Sequence, residues 1–394
     1  MTTNNPPAAP ARGTRPRNRR TLILAAAADL FVRRGYDQVG VGDIAEAVAI
    51  GPSALYRHFP GKQHLLREVI AAGVAPLREL VDDLDVGDRA AALRRLAALA
   101  LDERHLGVLW QREARHLPAD DRAAVLAGIN AVERGLAARV RDLRPELGGP
   151  AADLLARCLV AVLTSPSFHR LELPRPEHDE LLAGLAAAVL DSPVPAGLPG
   201  APPGPAPAGL VPDSRREALL MQAVRLFAAH GYAAVGNDDI GAAVGIAGPS
   251  IYNHFASKID LLNTAFDRGA AVLFTDLSAA YRTAGSPIEA LHRLVRSYLA
   301  FTHANHDLVS LLITEIGHLP GAGQHRARQT QHDYISEWVH LLRADRPGVD
   351  PTHARARVHA VLGIANDAAR TPHLRRNPHA TAALETICTR LLMP

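Results

Sequence analysis

Apolar positions along the chain recur at helical spacing, not strand spacing. In "RTLILAAAADLFVRRGY", which starts at Arg20, the residues Ile23, Ala26, Ala27, Leu30 and Phe31 share one face. Gly35 follows as a helix stop. "REALLMQAVRLFAAHGY", from Arg216, repeats the pattern with Leu219, Ala223, Leu226, Phe227 and Gly231. Valine and isoleucine never run in a sustained alternation, so no sheet is predicted and the expected fold is all-α. About six further helix-length segments follow each of these, broken at Pro118, Gly149, Ser286, Pro320 and Pro351.

The two patterns belong to a longer repetition. Phe31, Gly35, Tyr36, Val39, Gly40, Asp43, Ile44, Ala47, Val48 and Ile50 each recur 196 positions later, as do Tyr56, His58, Phe59, Lys62, Leu65 and Leu66. A second echo lies downstream, where "REARHLP" at Arg112 and "TEIGHLP" at Thr314 share Glu, His, Leu and Pro at an offset of 202. The whole unit is therefore duplicated. Between the copies "DSPVPAGLPGAPPGPAPAGLVPD" (191–213) is dense in proline, which removes backbone donors and favours an extended conformation. It reads as a semi-rigid linker able to reach roughly 60–70 Å at about 3.1 Å per residue.

Within each front end, a short helix at about 41–48, a tight turn and a second short helix at about 52–59 form a helix-turn-helix pattern. Ile44, Ala45 and Val48 would bury against Leu55 and Phe59, leaving Ser53, Ala54, Arg57 and His58 to face outward. Tyr56 offers a hydroxyl to a phosphate, and Lys62 opens the next, long helix, where backbone N–H groups also favour an anion. Lys62 and its repeat partner Lys258 are the only lysines in the chain.

The segments "FVRRGYDQVGVGDIAEAVAIGPSALYRHFPGKQHLL" and "FAAHGYAAVGNDDIGAAVGIAGPSIYNHFASKIDLL" resemble the tetracycline-repressor (TetR) family of bacterial transcription factors. The shared elements are G-Y, D-I-(A/G), Y-x-H-F and K-x-x-L-L. The resemblance implies three helices that bind operator DNA, then a helical domain that binds a small effector and dimerises through its last two helices. It implies phosphate contacts by Tyr56, His58 and Lys62 and by Tyr252, His254 and Lys258. Base reading then falls to residues early in the recognition helix; Ser53, Ala54 and Arg57 in copy one and Ser250 and Asn253 in copy two complete the candidate DNA contacts. Two departures stand out. Gly40 and Gly236 replace the usual Thr or Ser helix cap, a loss of a few tenths of a kcal/mol. Ala49 replaces the usual turn glycine, which copy two keeps as Gly245; a positive φ at Ala49 costs roughly 1–2 kcal/mol and is expected to distort that turn.

Charge separates the copies. From Arg12 to Arg67 ten Arg and Lys oppose Asp29, Asp37, Asp43 and Glu46, whereas from Asp213 to Asn263 four basic residues oppose five acidic ones. Arg57 has become Asn253, His64 has become Asp260 and Gly42 has become Asp238. DNA affinity rests largely on phosphate neutralisation, so copy one is expected to bind DNA well and copy two poorly. The Arg-rich stretch 12–20, including Arg19 and Arg20, is a candidate minor-groove or phosphate arm.

The remaining composition is that of an ordinary soluble protein: 48% hydrophobic, 21% charged, formal net charge +3 and two distant cysteines without metal-type spacing. No stretch reads as a signal peptide or as apolar enough to span a bilayer, so a cytoplasmic location is expected. Nucleophile elbows, phosphate loops and dinucleotide fingerprints are missing, so neither an enzyme nor a cofactor is predicted; His303 and His306 lack supporting ligands, and no metal is predicted.

For an effector pocket, the candidates are Trp110, Glu113, His116 and Phe168 in copy one, and Glu315, His318, Tyr334, Trp338 and Asn366 in copy two. The alternative for Glu113–His116 and Glu315–His318 is an i,i+3 pair closing a helix before proline. The expected organisation is a basic arm (1–18), helix-turn-helix domain one (19–66), regulatory domain one (67–190), linker (191–213), helix-turn-helix domain two (214–262, degenerate in charge) and regulatory domain two (263–394). Helices at about 150–166, 178–190, 352–369 and 379–392 are the candidate dimerisation elements. The expected partners are double-stranded operator DNA and a small apolar or acyl effector, with an intrachain pseudo-dimer or a homodimer as the assembly. The rival reading is a ligand sensor or scaffold with little DNA binding.

Overall fold

A computed structural model of the chain describes residues 18–202, 204 and 209–393; the predicted basic arm lies outside them except for Asn18. Every regular element among the described residues is helical. Copy one runs α1 (Arg19–Arg34), α2 (Val41–Ala47), α3 (Pro52–Tyr56), α4 (Lys62–Asp82), α5 (Arg89–Asp102), α6 (Leu106–Gln111), α7 (Ala119–Leu143), α8 (Gly149–Thr164) and α9 (Glu177–Leu190). Copy two runs α10 (Arg215–His230), α11 (Asn237–Val244), α12 (Lys258–Thr283), α13 (Pro287–Ala304), α14 (His306–Thr314), α15 (Gly321–Asp345), α16 (Pro351–Arg370), α17 (Pro372–Arg375) and α18 (Pro378–Leu392). The predicted breaks are helix starts. Pro351 is the first residue of α16, and Ser286 caps α13 by accepting from the Glu289 N–H.

The chain divides into two compact units, Met1–Arg139 with Pro166–Arg170, and Val140–Ser165 with Leu171–Pro394. The division does not follow the copies, because α8 and α9 of copy one lie in the second unit.

In the first unit, α1, α2, α3 and α4 enclose Ile23, Phe31, Ile44, Leu55, Phe59, Leu65 and Ile70, all at most 1% exposed. Leu106 and Leu109 of α6 join the same cluster, so the reading head and the start of the regulatory helices share one core. In the second unit Leu219, Phe227, Ile240, Ile251, Phe255 and Leu261 form the equivalent core.

The second unit also contains a bundle built from both copies. Helix α8 packs on α9 and α16, and α18 packs on α9 and α16. Leu154, Leu155, Leu159 and Val162 of α8, Leu182 and Val189 of α9, Val358 and Val361 of α16, and Ile387 and Leu391 of α18 are buried in it. Each such side chain contributes about 1.5–3 kcal/mol on burial, so exposing this seam is costly. Two pairs cross between copies at its edge: His373 Nε2 lies 2.8 Å from Asp153 Oδ2, and His353 Nε2 lies 2.8 Å from Glu177 Oε1.

Three expectations are corrected here. Residues 149–168 are long and apolar enough to cross a membrane, at a mean hydropathy of 1.3; but 67% of that window is buried within the protein, because α8 is a core helix of this bundle. The first stretch of the linker, 191–202, is docked, not a free spacer, whereas Leu210 and Val211 near its end are exposed. Val194 and Leu198 are buried, Ala196 O accepts the Gly148 N–H (3.0 Å), and Pro199 O accepts from Asn377 Nδ2 (2.8 Å). The turn at Ala49 is kept at φ 54°, with the Ile50 N–H bonded to Ala45 O at 2.9 Å.

Candidate nucleic-acid interface

In copy one, Gly51 and Pro52 start α3 and Leu55 and Phe59 anchor it, and this decides what remains outside. Ser53, Tyr56, Arg57 and His58 are exposed and Ala54 is half-buried; Tyr56 alone is 53% exposed. Helix α3 and the two residues after it thus expose a hydroxyl, a phenol, a guanidinium and an imidazole, groups able to meet phosphates and base edges. At the front of α2 the missing Thr or Ser cap is offset by Asp43, whose Oδ2 accepts the Gly40 N–H at 2.7 Å. Asp239 serves Gly236 identically.

Arg20 does not extend from this face as an arm. Its guanidinium donates to His58 O (3.2 Å) and Glu68 Oε2 (2.6 Å) and lies 4.5 Å from the Phe59 ring centre, so it fixes the end of the recognition segment. Arg19 is half-buried beside it in sequence.

Copy two holds a different recognition element. The tripeptide Gly-Pro-Ser sits at 51–53 in copy one but at 248–250 in copy two, one place later relative to the repeat. The segment Gly248–Asn253 is a 3-10 helix, tighter and with poorer hydrogen-bond geometry than an α-helix. A Cβ on Gly248 would stand 2.0 Å from Asp238 Oδ1 and 3.0 Å from the Asp238 backbone N, so a larger residue there forces Asp238 to shift. Tyr252 is 59% exposed, yet its hydroxyl accepts from Asn237 Nδ2 at 3.0 Å. Asn253 is exposed, Ser250 and His254 are half-buried, and carboxylates of Asp238 and Asp239 open α11. The second head is thus acidic and partly self-satisfied.

The two lysines turn inward. Lys62 Nζ donates to Tyr36 O (2.7 Å) and Val39 O (2.8 Å) and lies 3.9 Å from the Tyr36 ring centre. Lys258 Nζ donates to Tyr232 O (2.7 Å) and Val235 O (2.8 Å), 4.2 Å from the Tyr232 ring. Burial lowers the pKa of each, with nearby Asp37 and Glu113, or Glu315, acting against it.

Four effector candidates lie beside these two lysines, one pair in each copy. Glu113 is 1% exposed; its Oε2 accepts the Tyr36 N–H at 2.9 Å, and Arg112 pairs with its other oxygen. The His116 ring stacks on Tyr36 at 4.7 Å and 17°. In copy two Glu315 is 1% exposed and pairs with His318 at 3.2 Å, and His318 approaches the Tyr232 ring at 5.2 Å. A buried carboxylate needs donors: Glu113 draws on the Tyr36 backbone N–H and on Arg112, whereas Glu315 pairs with His318. Trp110 packs half-buried on the head-one core, and Phe168 is 42% exposed.

Tyr334, Trp338 and Asn366 do come together. With Tyr298 they form a buried aromatic cluster, its ring centres 6.0–6.2 Å apart, in which Tyr298 Oη donates to Asn366 Oδ1 at 2.9 Å. Tyr334 Oη and Trp338 Nε1 are buried and find no hydrogen-bond partner beyond each other among the described residues. Burial pushes both tyrosine pKa values well above their ordinary range. Tyr298 was missed by sequence reasoning, although its spacing on α13 places it on the buried face with Leu291, Leu294 and Val295.

Residues 23–69 and 219–265 each match the family described as Bacterial regulatory proteins, tetR family, and residues 284–370 match the Tetracyclin repressor-like, C-terminal domain. Among curated relatives, the HTH-type transcriptional repressor KstR2 of Rhodococcus jostii (strain RHA1) is 36% identical over 124 residues, 30% of this chain and 61% of that protein. The HTH-type transcriptional activator FasR of Mycolicibacterium smegmatis is 33% identical over 89 residues, 23% of this chain and 41% of that one. The chain thus spans 41–61% of the length of these two relatives. A TetR-family regulator from Bordetella parapertussis 12822 superposes with a TM-score of 0.43 at 18% identity, over 46% of this chain and 95% of that one. Two segments of the chain match the tetR family and a third matches the Tetracyclin repressor-like C-terminal domain, so the chain carries two tandem TetR-like units.

Proposed function

We propose that this protein is a DNA-binding transcriptional regulator, not an enzyme, and that it acts as a repressor released by a small apolar or acyl effector. The observation that carries the reading is the exposed face of α3, where Ser53 and Ala54 read bases, Arg57 reads bases or phosphates, and Tyr56 and His58 contact phosphates. Head two, through Ser250, Tyr252, Asn253 and His254, contributes weakly, because its charge is acidic and its tyrosine hydroxyl is engaged by Asn237. The repressor sign rests on the KstR2 relatives.

The two copies act as a pseudo-dimer within one chain. The bundle of α8, α9, α16 and α18 supports this, as does the docked linker that touches Gly148 in copy one and Asn377 in copy two. The working domains are then the two heads (19–66 and 214–262) and the regulatory parts 67–190 and 263–394, the last two helices of each regulatory part joining in the seam. The effector binds beside Tyr334 and Trp338, where a buried hydroxyl and a buried N–H find no partner beyond each other and an acceptor on an otherwise apolar molecule would satisfy them.

Sedimentation of the full chain with a duplex selected by it from a random pool tests the assembly. One chain per duplex is expected. Two chains per duplex would replace the pseudo-dimer with a homodimer, and failure to select any duplex would leave the sensor or scaffold reading.

A further inference from the structure

We propose that Lys62, Tyr36, Glu113 and His116 form the joint through which the regulatory helices set the pose of the first reading head, with Lys62 acting as a positioning residue and not as a phosphate ligand. The inference rests on the DNA-binding reading above.

Three observations carry it. First, the ammonium of Lys62 spends two of its three N–H donors on Tyr36 O and Val39 O, and the Tyr36 ring covers it at 3.9 Å. Those carbonyls belong to the connection between α1 and α2, which leaves α1 at Gly35 with φ 84°. Holding that connection against the start of α4 fixes α2, and α3 follows through Ile44 and Leu55.

Second, the same connection is gripped from the regulatory side. Glu113 takes the Tyr36 N–H, and His116 stacks on its ring. Arg112 adds bonds to Phe31 O (3.3 Å) and Val32 O (2.9 Å) at the end of α1. The segment that carries them directly follows α6, which itself packs on α1 and α4.

Third, the duplication acts as an internal control. Copy two has lost the charges expected to meet DNA, with Asn253 for Arg57 and Asp260 for His64. It keeps the lysine with both of its carbonyl bonds, the tyrosine, the buried glutamate and the histidine. Tyr252 and His254 persist as well, so the shared lysine is informative through its contacts, which are the same two carbonyls in both copies. Arg112 is replaced by Thr314, and Asp37, which faces His116 at 3.5 Å, by Ala233, so the second joint is the weaker one.

The test is a fluorescence-anisotropy titration of the full chain with its selected duplex across about 50–300 mM salt. Arg57→Gln, which removes a phosphate or base contact, is expected to flatten the log K against log salt slope by up to about 0.9. Lys62→Met is expected to weaken binding at every salt concentration with the slope unchanged. Glu113→Gln is expected to weaken it too, although on charge alone removing a carboxylate tightens binding to DNA. A slope loss of about 0.9 for Lys62→Met, or tighter binding by Glu113→Gln, overturns the proposal. Hydrogen exchange in the free protein decides independently of DNA, and also serves if Lys62→Met fails to fold: Glu113→Gln should speed exchange at the Tyr36 and Val39 amides by about tenfold or more, while Arg57→Gln leaves them alone. Unchanged exchange in Glu113→Gln refutes the joint. If wild type selects no duplex but the exchange result holds, the functional reading fails and the joint stands.

Discussion

Ala49 and Gly245 occupy the same turn in the two heads, and exchanging their identities isolates a single backbone torsion. Ala49 is the only non-glycine residue with positive φ among the described residues, at 54°; Gly245 sits at 75°. An L-residue in this region costs roughly 1–2 kcal/mol, whereas glycine costs about 0.4–1 kcal/mol more than alanine through the entropy of the unfolded chain. The net expectation is that Ala49→Gly stabilises head one by about 0.5–1 kcal/mol and Gly245→Ala destabilises head two by a similar amount. No atom lies within 4 Å of a Cβ placed on Gly245, so steric overlap adds nothing to the second figure. Native-state hydrogen exchange of core amides reads the difference locally, about 1 kcal/mol being roughly a fivefold change in rate. Amides of Ile44 and Leu55 should slow in Ala49→Gly, and those of Ile240 and Ile251 should quicken in Gly245→Ala. Changes of the same sign in both heads, or faster exchange in Ala49→Gly, would refute the torsional reasoning.

Acid should loosen the second unit through His359 on α16, whose pKa burial and the nearby Arg355 hold down at about 4, against an ordinary 6.5. Its contribution is complete above pH 6.5 and lost as pH falls towards 4, at most about 3 kcal/mol; denaturation midpoints should therefore drop less steeply with acid in His359→Leu, and an unchanged pH slope would contradict this. Of the two tryptophans, Trp338 is fully buried in the aromatic cluster, so in a Trp110→Phe background an effector that meets its N–H should change the remaining fluorescence. Tyr334→Phe should weaken the same ligand about five- to tenfold by removing one hydrogen bond, and unaltered affinity would move the effector site elsewhere.

Much of this architecture was legible because helix breakers fell where helices begin and because the duplication offered every boundary twice. The four seam helices were placed to within a residue or two for that reason. The outward face of α3 was equally readable, since burying Leu55 and Phe59 leaves only one side for Ser53, Tyr56 and Arg57. The joint was not. Glu113 and His116 are spaced like a helix-surface pair, and nothing local to them reveals a tyrosine 77 residues earlier. The available signal was the joint survival of Tyr, Lys, Glu and His in both copies. The linker misled because its prolines outweighed Val194 and Leu198, the two apolar residues that dock it. The altered second recognition element was visible as the one-place shift of Gly-Pro-Ser, whose consequence needed the position of Asp238.

The central claim is that one of the two heads does the reading. Fluorescence anisotropy on the selected duplex should compare Tyr56→Ala/Arg57→Gln with Tyr252→Ala/Asn253→Ala at several salt concentrations. The account predicts that the first pair abolishes specific binding while the second loses little. Equal losses, or a loss confined to the second pair, would contradict it.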